Sequence, residues 1–320
     1  MRYAVYAPWL LSSVLALPAV TATLRRLPDR VDPRPVLVLL TISMAAAAVA
    51  TTASLVMLVA VGVAQLGQAS PLTSPSGHAA PGAVPVGVTA AVALAVVLVR
   101  TVRECRGRRR RRRRVHDALR SSGRPEDGVA LIDDGRVFAV AAPGWRRCPR
   151  RVVVSRGLVE ALDRGEYDAV VAHEREHLDR GHHRHLAVAG LAVALNPLLR
   201  PWWEELVYTA ERCADEGAAR RMADRELVGR AVGRAALSAR TSHARPVASA
   251  FPASSLALGV TTGPVPRRVA ALLAGDDRGS GVVPALLVAV VVLALAALAA
   301  AGAVHAAWDL GDLFGTAPVG

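Results

Sequence analysis

The stretch Val170-Val171-Ala172-His173-Glu174-Arg175-Glu176-His177 decides how the rest of this chain is interpreted. It contains the pattern H-E-x-x-H, and the apolar residues before it predict a helix that is buried on one face. On such a helix His173 and His177 lie one turn apart on the same side, so their imidazole rings can bind one metal ion. Glu174 lies beside that face and can take a proton from a metal-bound water and pass it to a leaving amine. The five letters alone leave a solvated, charged helix as the alternative.

A downstream segment with helical periodicity, residues 202–223, offers a third metal ligand. Glu211 and Asp215 lie four residues apart in it, on one helix face. Catalytic zinc takes three protein ligands, commonly two histidines and one carboxylate, and keeps one position open. Glu211 can therefore complete a set of zinc ligands with the two motif histidines. Asp215 is left to orient a histidine ring from behind.

Three more histidines follow the motif closely: His182, His183 and His185. They are either extra metal ligands or solvated and supporting histidines. The open position that catalytic zinc needs favours the second interpretation.

Apolar and charged residues are segregated along the chain. The 320 residues are 52% hydrophobic and 20% charged, and all the basic residues are arginine, with a net charge of +13. The mean hydropathy of +0.33 is high for a chain with so many charges. This segregation predicts membrane spans that alternate with a polar domain. The cysteines Cys105, Cys148 and Cys213 are too scattered to form a disulfide framework or a closed zinc site.

Four apolar stretches are long enough to cross a bilayer, which takes about 20 residues. They lie at about 3–24, 36–66, 83–99 and 281–305. They predict a membrane domain at 1–102, a polar domain at 103–280, a fourth transmembrane helix and a short extracytoplasmic tail at 306–320. A signal peptide is the alternative for the first stretch, but only one basic residue precedes it. The second stretch is long for one span, so we expect it to tilt or to extend beyond the lipid.

Arginines in the loops set the orientation of these spans. The loops at 25–34 and 100–114 are rich in arginine, whereas the loop at 68–82 has none. Basic loops stay on the cytoplasmic side, so the polar domain is predicted to be cytoplasmic. The abundance of alanine, valine and glycine beside arginine suggests a bacterial gene, and we therefore predict a multi-pass protein of the bacterial plasma membrane.

The arginine block at 106–114 has two interpretations. No aromatic residues are interleaved in it and no known binding module surrounds it, which disfavours nucleic acid as a direct partner. A basic cluster next to a span usually contacts anionic lipid, so the lipid bilayer is the expected partner.

The polar domain begins with short strands and continues with helices. Residues 129–132 and 137–140 are predicted strands, and the Asp-Gly pair between them predicts a hairpin. A third strand follows at 151–154, and the helical part begins at Gly157, which gives an α+β layout with one core. An exposed edge strand beside the metal would let an extended substrate peptide add to the sheet.

The apolar piece between the two metal-binding segments, residues 186–199, is too short to span a membrane comfortably. We expect a helix packed against the membrane-facing side, with Trp202 and Trp203 at the level of the lipid headgroups. The alternative is that these tryptophans belong to an ordinary core.

Taken together, these motifs resemble those of the integral-membrane zinc metallopeptidases of the BlaR/MecR antirepressor type, which are gluzincins. The similar parts are the run at 151–158, the H-E-x-x-H helix, the segment Glu211-Arg212-Cys213-Ala214-Asp215 and the order of the spans. The resemblance implies an α+β zincin-like metalloprotease domain inserted between transmembrane helices, with three before it and one after it. It implies Zn²⁺ bound by His173, His177 and Glu211, with Glu174 as catalytic base and acid and Asp215 as support. The β-lactam sensors of this family continue into a large extracellular penicillin-binding domain, and here a short tail stands in its place.

The function predicted from the sequence is a membrane-embedded, zinc-dependent endopeptidase that cleaves a cytoplasmic protein. Its substrate is expected to be a repressor in a signalling pathway. One alternative is a membrane-protein quality-control protease of the HtpX-like type, and another is a non-catalytic signalling or scaffold protein. The group that stabilises the oxyanion is not identified by the sequence, although an arginine or histidine after the second metal-binding helix is a candidate.

Overall fold

The computed structural model describes residues 32–68, 83–121, 127–144, 149–241 and 265–275. The helices are α1 (Pro33–Gln68), α2 (Ala83–Ser121), α3 (Arg156–Ala161), α4 (Arg164–Asp179), α5 (His182–Leu195), α6 (Arg200–Met222), α7 (Arg225–Thr241) and α8 (Val265–Leu273). The strands are β1 (Val129–Ile132), β2 (Ala139–Ala142) and β3 (Arg151–Ser155), and a 3₁₀ turn (Pro197–Leu199) joins α5 to α6. The first and fourth predicted spans and the predicted tail lie outside the described residues.

Helices α1 and α2 pack against each other and contain the second and third predicted spans. Each holds a segment long and apolar enough to cross a membrane, Pro33–Ala60 in α1 and Pro85–Val115 in α2. The two helices approach closely where Gly87 faces Gly62, since a Cβ on Gly87 would lie 2.6 Å from the Gly62 Cα. By length and composition, these two helices suggest membrane association.

The first half of α1 belongs to a helical core. A stripe with four-residue spacing, Val36, Leu40, Met44 and Ala48, is buried against α5 and α6. None of the described residues in the second half of α1 belongs to this core, and its large apolar side chains, such as those of Val56 and Val63, are exposed. The stretch predicted at 36–66 is longer than one membrane span because its first part packs within the protein.

The three-stranded sheet has the order β1-β3-β2, so the predicted hairpin between the first two strands is wrong. β3 lies between them, parallel to β1 and antiparallel to β2. Its three valines are buried, which suits the central position. The loop after β1 crosses the end of β3, where the Gly157 amide donates to the Asp134 carbonyl oxygen over 2.9 Å. Gly157 is required there, because a Cβ would collide with the backbone of Gly135.

Strand β2 differs from the prediction in two ways. It begins at Ala139, two residues later than expected, and it ends at Ala142. It is an edge of the described sheet and packs against α4, yet its four residues are only 0–5% exposed. The expectation of an exposed edge strand beside the metal site is therefore wrong for this conformation.

The apolar piece at 186–199 lies in the helical core. Leu186, Ala189 and Ala192 of α5 pack against α1 and α6. Trp202 is only 2% exposed and belongs to the same core, so the placement of this tryptophan among lipid headgroups is wrong. Trp203 is partly buried and packs against that core. The domain is mostly helical, with the sheet on one side of α4.

Candidate metal centre

Helix α4 carries the H-E-x-x-H motif, and its start is fixed by a capping box. The Asp163 side chain accepts from the Glu166 amide at 2.8 Å, and the Glu166 carboxylate accepts from the Asp163 amide at 3.1 Å. Such a cap satisfies two backbone donors that the first helical turn leaves open. The buried residues before the motif, at 169–172, pack against the sheet side of the core.

Helix α6 brings the predicted third ligand to α4. The two helices pack closely at Gly217, where an added Cβ would collide with the Glu176 carboxyl group. Glu211 and Asp215 lie one turn apart on the face of α6 that meets the motif. The five predicted site residues are therefore brought together, with His173 and Glu174 only 1% and 0% exposed.

The three predicted metal ligands converge. The Nε2 atoms of His173 and His177 are 3.1 Å apart. Glu211 Oε2 is 3.6 Å from His173 Nε2, and Glu211 Oε1 is 3.7 Å from His177 Nε2. Ligand atoms of these residues all lie within 4.8 Å of one another, which is close enough for one ion.

Each histidine of the motif has a partner behind it. His173 Nδ1 lies 3.0 Å from Asp215 Oδ1, and His177 Nδ1 lies 2.7 Å from His182 Nδ1. Such partners at the second ring nitrogen orient a ligating imidazole and set its tautomer. Asp215 is therefore in the place expected of a supporting carboxylate.

The three histidines after the motif have different surroundings. His182 is buried and contacts His177, which is the position that a supporting residue takes. His185 faces α1, where its Nδ1 is 2.9 Å from the Thr41 hydroxyl. His183 is partly buried. None of the three belongs to the metal-binding group found among the described residues.

Arg268 of α8 is a residue of this site that the sequence analysis did not identify. Its guanidinium donates to both oxygens of Asp215 at 2.8 and 2.7 Å, and its third nitrogen lies 2.9 Å from Glu211 Oε2. The sequence signal is faint: Arg268 and Leu272 share the buried face of a short amphipathic helix. A charge on such a face must have a buried partner.

The buried groups have strongly shifted pKa values. Burial raises the pKa of Glu174 to about 8, and the charge of the neighbouring His173 offsets this only in part. Burial opposes a charged His173, but contacts with Asp215 and Glu211 outweigh it and raise the pKa of His173 to about 10. Burial also holds the pKa of His177 well below its usual range.

The residues present fit a bound divalent metal. Two imidazoles and one carboxylate form a donor set typical of catalytic zinc. Neither oxygen of the buried Glu174 carboxylate has a hydrogen-bond partner among the described residues. A carboxylate in that condition suits a site whose remaining contacts come from a water or substrate.

Comparison with known proteins agrees with a metallopeptidase. Residues 106–202 match the model of Peptidase family M48. The matched part includes the H-E-x-x-H helix and ends before Glu211, so the third ligand rests on the geometry alone. No curated protein and no solved structure matches the chain. This part of the chain is thus similar to a metallopeptidase family, whereas the BlaR/MecR type stays a prediction.

Proposed function

We propose that the protein is a membrane-embedded zinc endopeptidase of the gluzincin type that cleaves a protein substrate at the cytoplasmic face. The observation that carries this proposal is the convergence of His173, His177 and Glu211 next to the buried Glu174. The match to Peptidase family M48 supports the same chemistry.

In the proposed mechanism, His173, His177 and Glu211 hold the metal, and Glu174 moves the proton. When bound, zinc polarises the scissile carbonyl and lowers the pKa of its water to near 7. Glu174 accepts the proton of the attacking water and donates it to the leaving amine. Because Glu174 is buried, bulk water is kept from the proton that this carboxylate carries. Asp215 keeps the His173 ring oriented through Nδ1.

Arg268 is not the oxyanion donor in this proposal. All three of its guanidinium nitrogens face Asp215 or Glu211, so the arginine is committed to the ligand side of the site. A metal held by His173, His177 and Glu211 would supply the polarisation of that oxygen.

The substrate class we propose is a segment of a protein, with a transcriptional repressor or a damaged membrane protein as the two candidates.

We propose that one boundary of the membrane crosses α1 at Ala48 and α2 at Thr101. Each of these residues lies fourteen positions from the Gly62–Gly87 contact, on the side of the polar domain, so the two are at the same height along the helix pair. The exposed apolar side chains of 49–63 and 86–99 lie on the side of this boundary away from the polar domain. The arginine block lies on the side of the polar domain. Residues 49–68 and 83–100 each cover about 30 Å, the thickness of the hydrocarbon layer.

The first test compares protein N-termini in cells that carry the wild type or Glu174→Gln. We expect new N-termini only with the wild type, and their sequences name the substrate. Cleavage of a repressor supports the signalling role, and cleavage of misfolded membrane proteins supports quality control. Equal sets of termini, with zinc bound to both proteins, would favour the non-catalytic scaffold.

A further inference from the structure

We propose that Arg268 is the positioning residue that fixes Glu211 and Asp215 for metal binding. This inference rests on the proposed metal-dependent function and concerns the same site. Arg268 lies 53 residues beyond Asp215 in the chain and is only 2% exposed. Its planar guanidinium donates to both Asp215 oxygens and also approaches Glu211.

The charge balance of the site is the first argument. Three buried carboxylates, those of Glu174, Glu211 and Asp215, lie in one small region. Arg268 is the buried guanidinium that contacts two of them, and it supplies one positive charge. A charge buried this deeply needs a partner of opposite sign, and Arg268 is that partner for Glu211 and Asp215.

The way in which Arg268 holds Glu211 is the second argument. Oε2 lies 2.9 Å from Arg268 and 3.6 Å from His173 Nε2, whereas Oε1 lies 3.7 Å from His177 Nε2. The arginine thereby fixes the carboxylate through Oε2 and keeps both oxygens turned toward the motif histidines. A single ammonium cannot do this for two carboxylates at once, because it lacks the planar, forked geometry of guanidinium.

The third argument is that Arg268 supports two metal ligands, His173 through Asp215 and Glu211 directly. Asp215 holds His173 Nδ1 and is itself held at both oxygens by Arg268. Loss of the guanidinium would therefore loosen a histidine ligand through Asp215 and the carboxylate ligand directly. Supporting residues of this kind typically change metal affinity by about 10–100-fold.

Helix α8 also provides a matched control. Arg267 is the adjacent arginine, and its guanidinium lies 4.0 Å above the Tyr208 ring and 3.5 Å from Glu205. Its side chain is 28% exposed, whereas that of Arg268 is buried. Replacement of Arg267 removes the same charge from the same helix at a position that contacts Glu205 and Tyr208.

The experiment uses the full chain in detergent micelles, with Arg268→Gln, Arg268→Lys and Arg267→Gln beside the wild type. Zinc affinity is measured by competition with a chelator, and the ligand geometry by the visible absorption spectrum of the Co²⁺-loaded protein. We expect Arg268→Gln to weaken zinc binding about 10–100-fold and to change the Co²⁺ spectrum. Arg267→Gln should match the wild type in both.

Arg268→Lys keeps a positive charge in the core but lacks the planar, forked guanidinium. It therefore tests the role of the guanidinium geometry even if the glutamine variant does not fold. We expect it to fold, to bind zinc more weakly than the wild type and to show a changed Co²⁺ spectrum. Wild-type affinity and an unchanged spectrum in Arg268→Lys would overturn the proposal. A wild type that binds zinc but cleaves nothing would instead contradict the proposed peptidase function, and the two failures are therefore distinguishable.

Discussion

His182 Nδ1 lies 2.7 Å from His177 Nδ1, and both rings are buried. Burial lowers the pKa of His182 to about 4, so this ring is neutral at pH 7. One of the two Nδ1 atoms must then donate and the other accept. If His177 donates, its Nε2 is free to bind a metal, which is the side that faces His173 and Glu211.

From this contact we predict that His182→Ala weakens metal binding. The His177 ring loses the partner that orients it, and we expect a loss of about tenfold in zinc affinity. The measurement is chelator competition on the purified protein. His183→Ala is the matched control, because His183 is the adjacent residue and contacts no metal ligand among the described hydrogen bonds. Equal effects of both substitutions would show that the contact has no orienting role.

Glu174→Gln should keep the metal and abolish cleavage. The amide has nearly the shape of the carboxylate but cannot accept a proton, and general-base catalysis typically contributes about 10²–10⁴-fold to rate. The measurements are zinc content and the rate of cleavage of the substrate found by comparison of N-termini. Glu160→Gln, an exposed position on α3, serves as the control. Normal cleavage by Glu174→Gln would refute the mechanism.

Glu211→Ala should reduce bound zinc sharply. It removes one of three ligands and also leaves Arg268 with one carboxylate fewer. Metal content per protein is measured after dialysis against a weak chelator. Glu204→Ala, an exposed glutamate on the same helix, should retain the metal. Unchanged metal in Glu211→Ala would point to Asp215 or a histidine as the third ligand.

The two halves of α1 should differ in their contact with lipid. Ile42 and Val56 are both exposed, but only Val56 lies in the segment we place in the bilayer. A fluorescent label on Val56→Cys should be quenched by brominated lipids, and the same label on Ile42→Cys should not. The chain must first be freed of its three cysteines. Equal quenching at both sites would move the membrane boundary toward Pro33.

The features that the sequence predicted correctly depend on short-range patterns. The H-E-x-x-H spacing is local, and the structure has a helix there from Arg164. Glu211 and Asp215 lie on a helix that periodicity also indicated. Local patterns of this kind carry over into the fold because a helix fixes the relation of residues three and four positions apart.

The errors concern relations between distant segments. The Asp-Gly pair after β1 is a strong turn signal, yet β3 enters between β1 and β2 because its valines fit a central position. Arg268 is separated from Asp215 by 53 positions, and no local pattern links them. The burial of Trp202 depends on α1, whose first half looked like membrane span. Composition alone does not separate lipid from protein core as the surroundings of an apolar helix.

Cys213 gives a last prediction, and the labelling of its thiol also shows whether the helical core of each variant above is folded. This residue lies in the core formed by α1, α5 and α6, and burial raises the pKa of its thiol to about 12. The thiolate is the reactive form, so at pH 8 only a minute fraction of Cys213 is reactive, and this fraction grows as the pH rises toward 12. In a Cys148→Ser background we expect the exposed Cys105 to be alkylated at pH 8 at least about 100-fold faster than Cys213. Mass spectrometry of the labelled peptides measures both rates, and denaturant should make them equal. Equal rates in the native protein would mean that the first half of α1 does not cover this core.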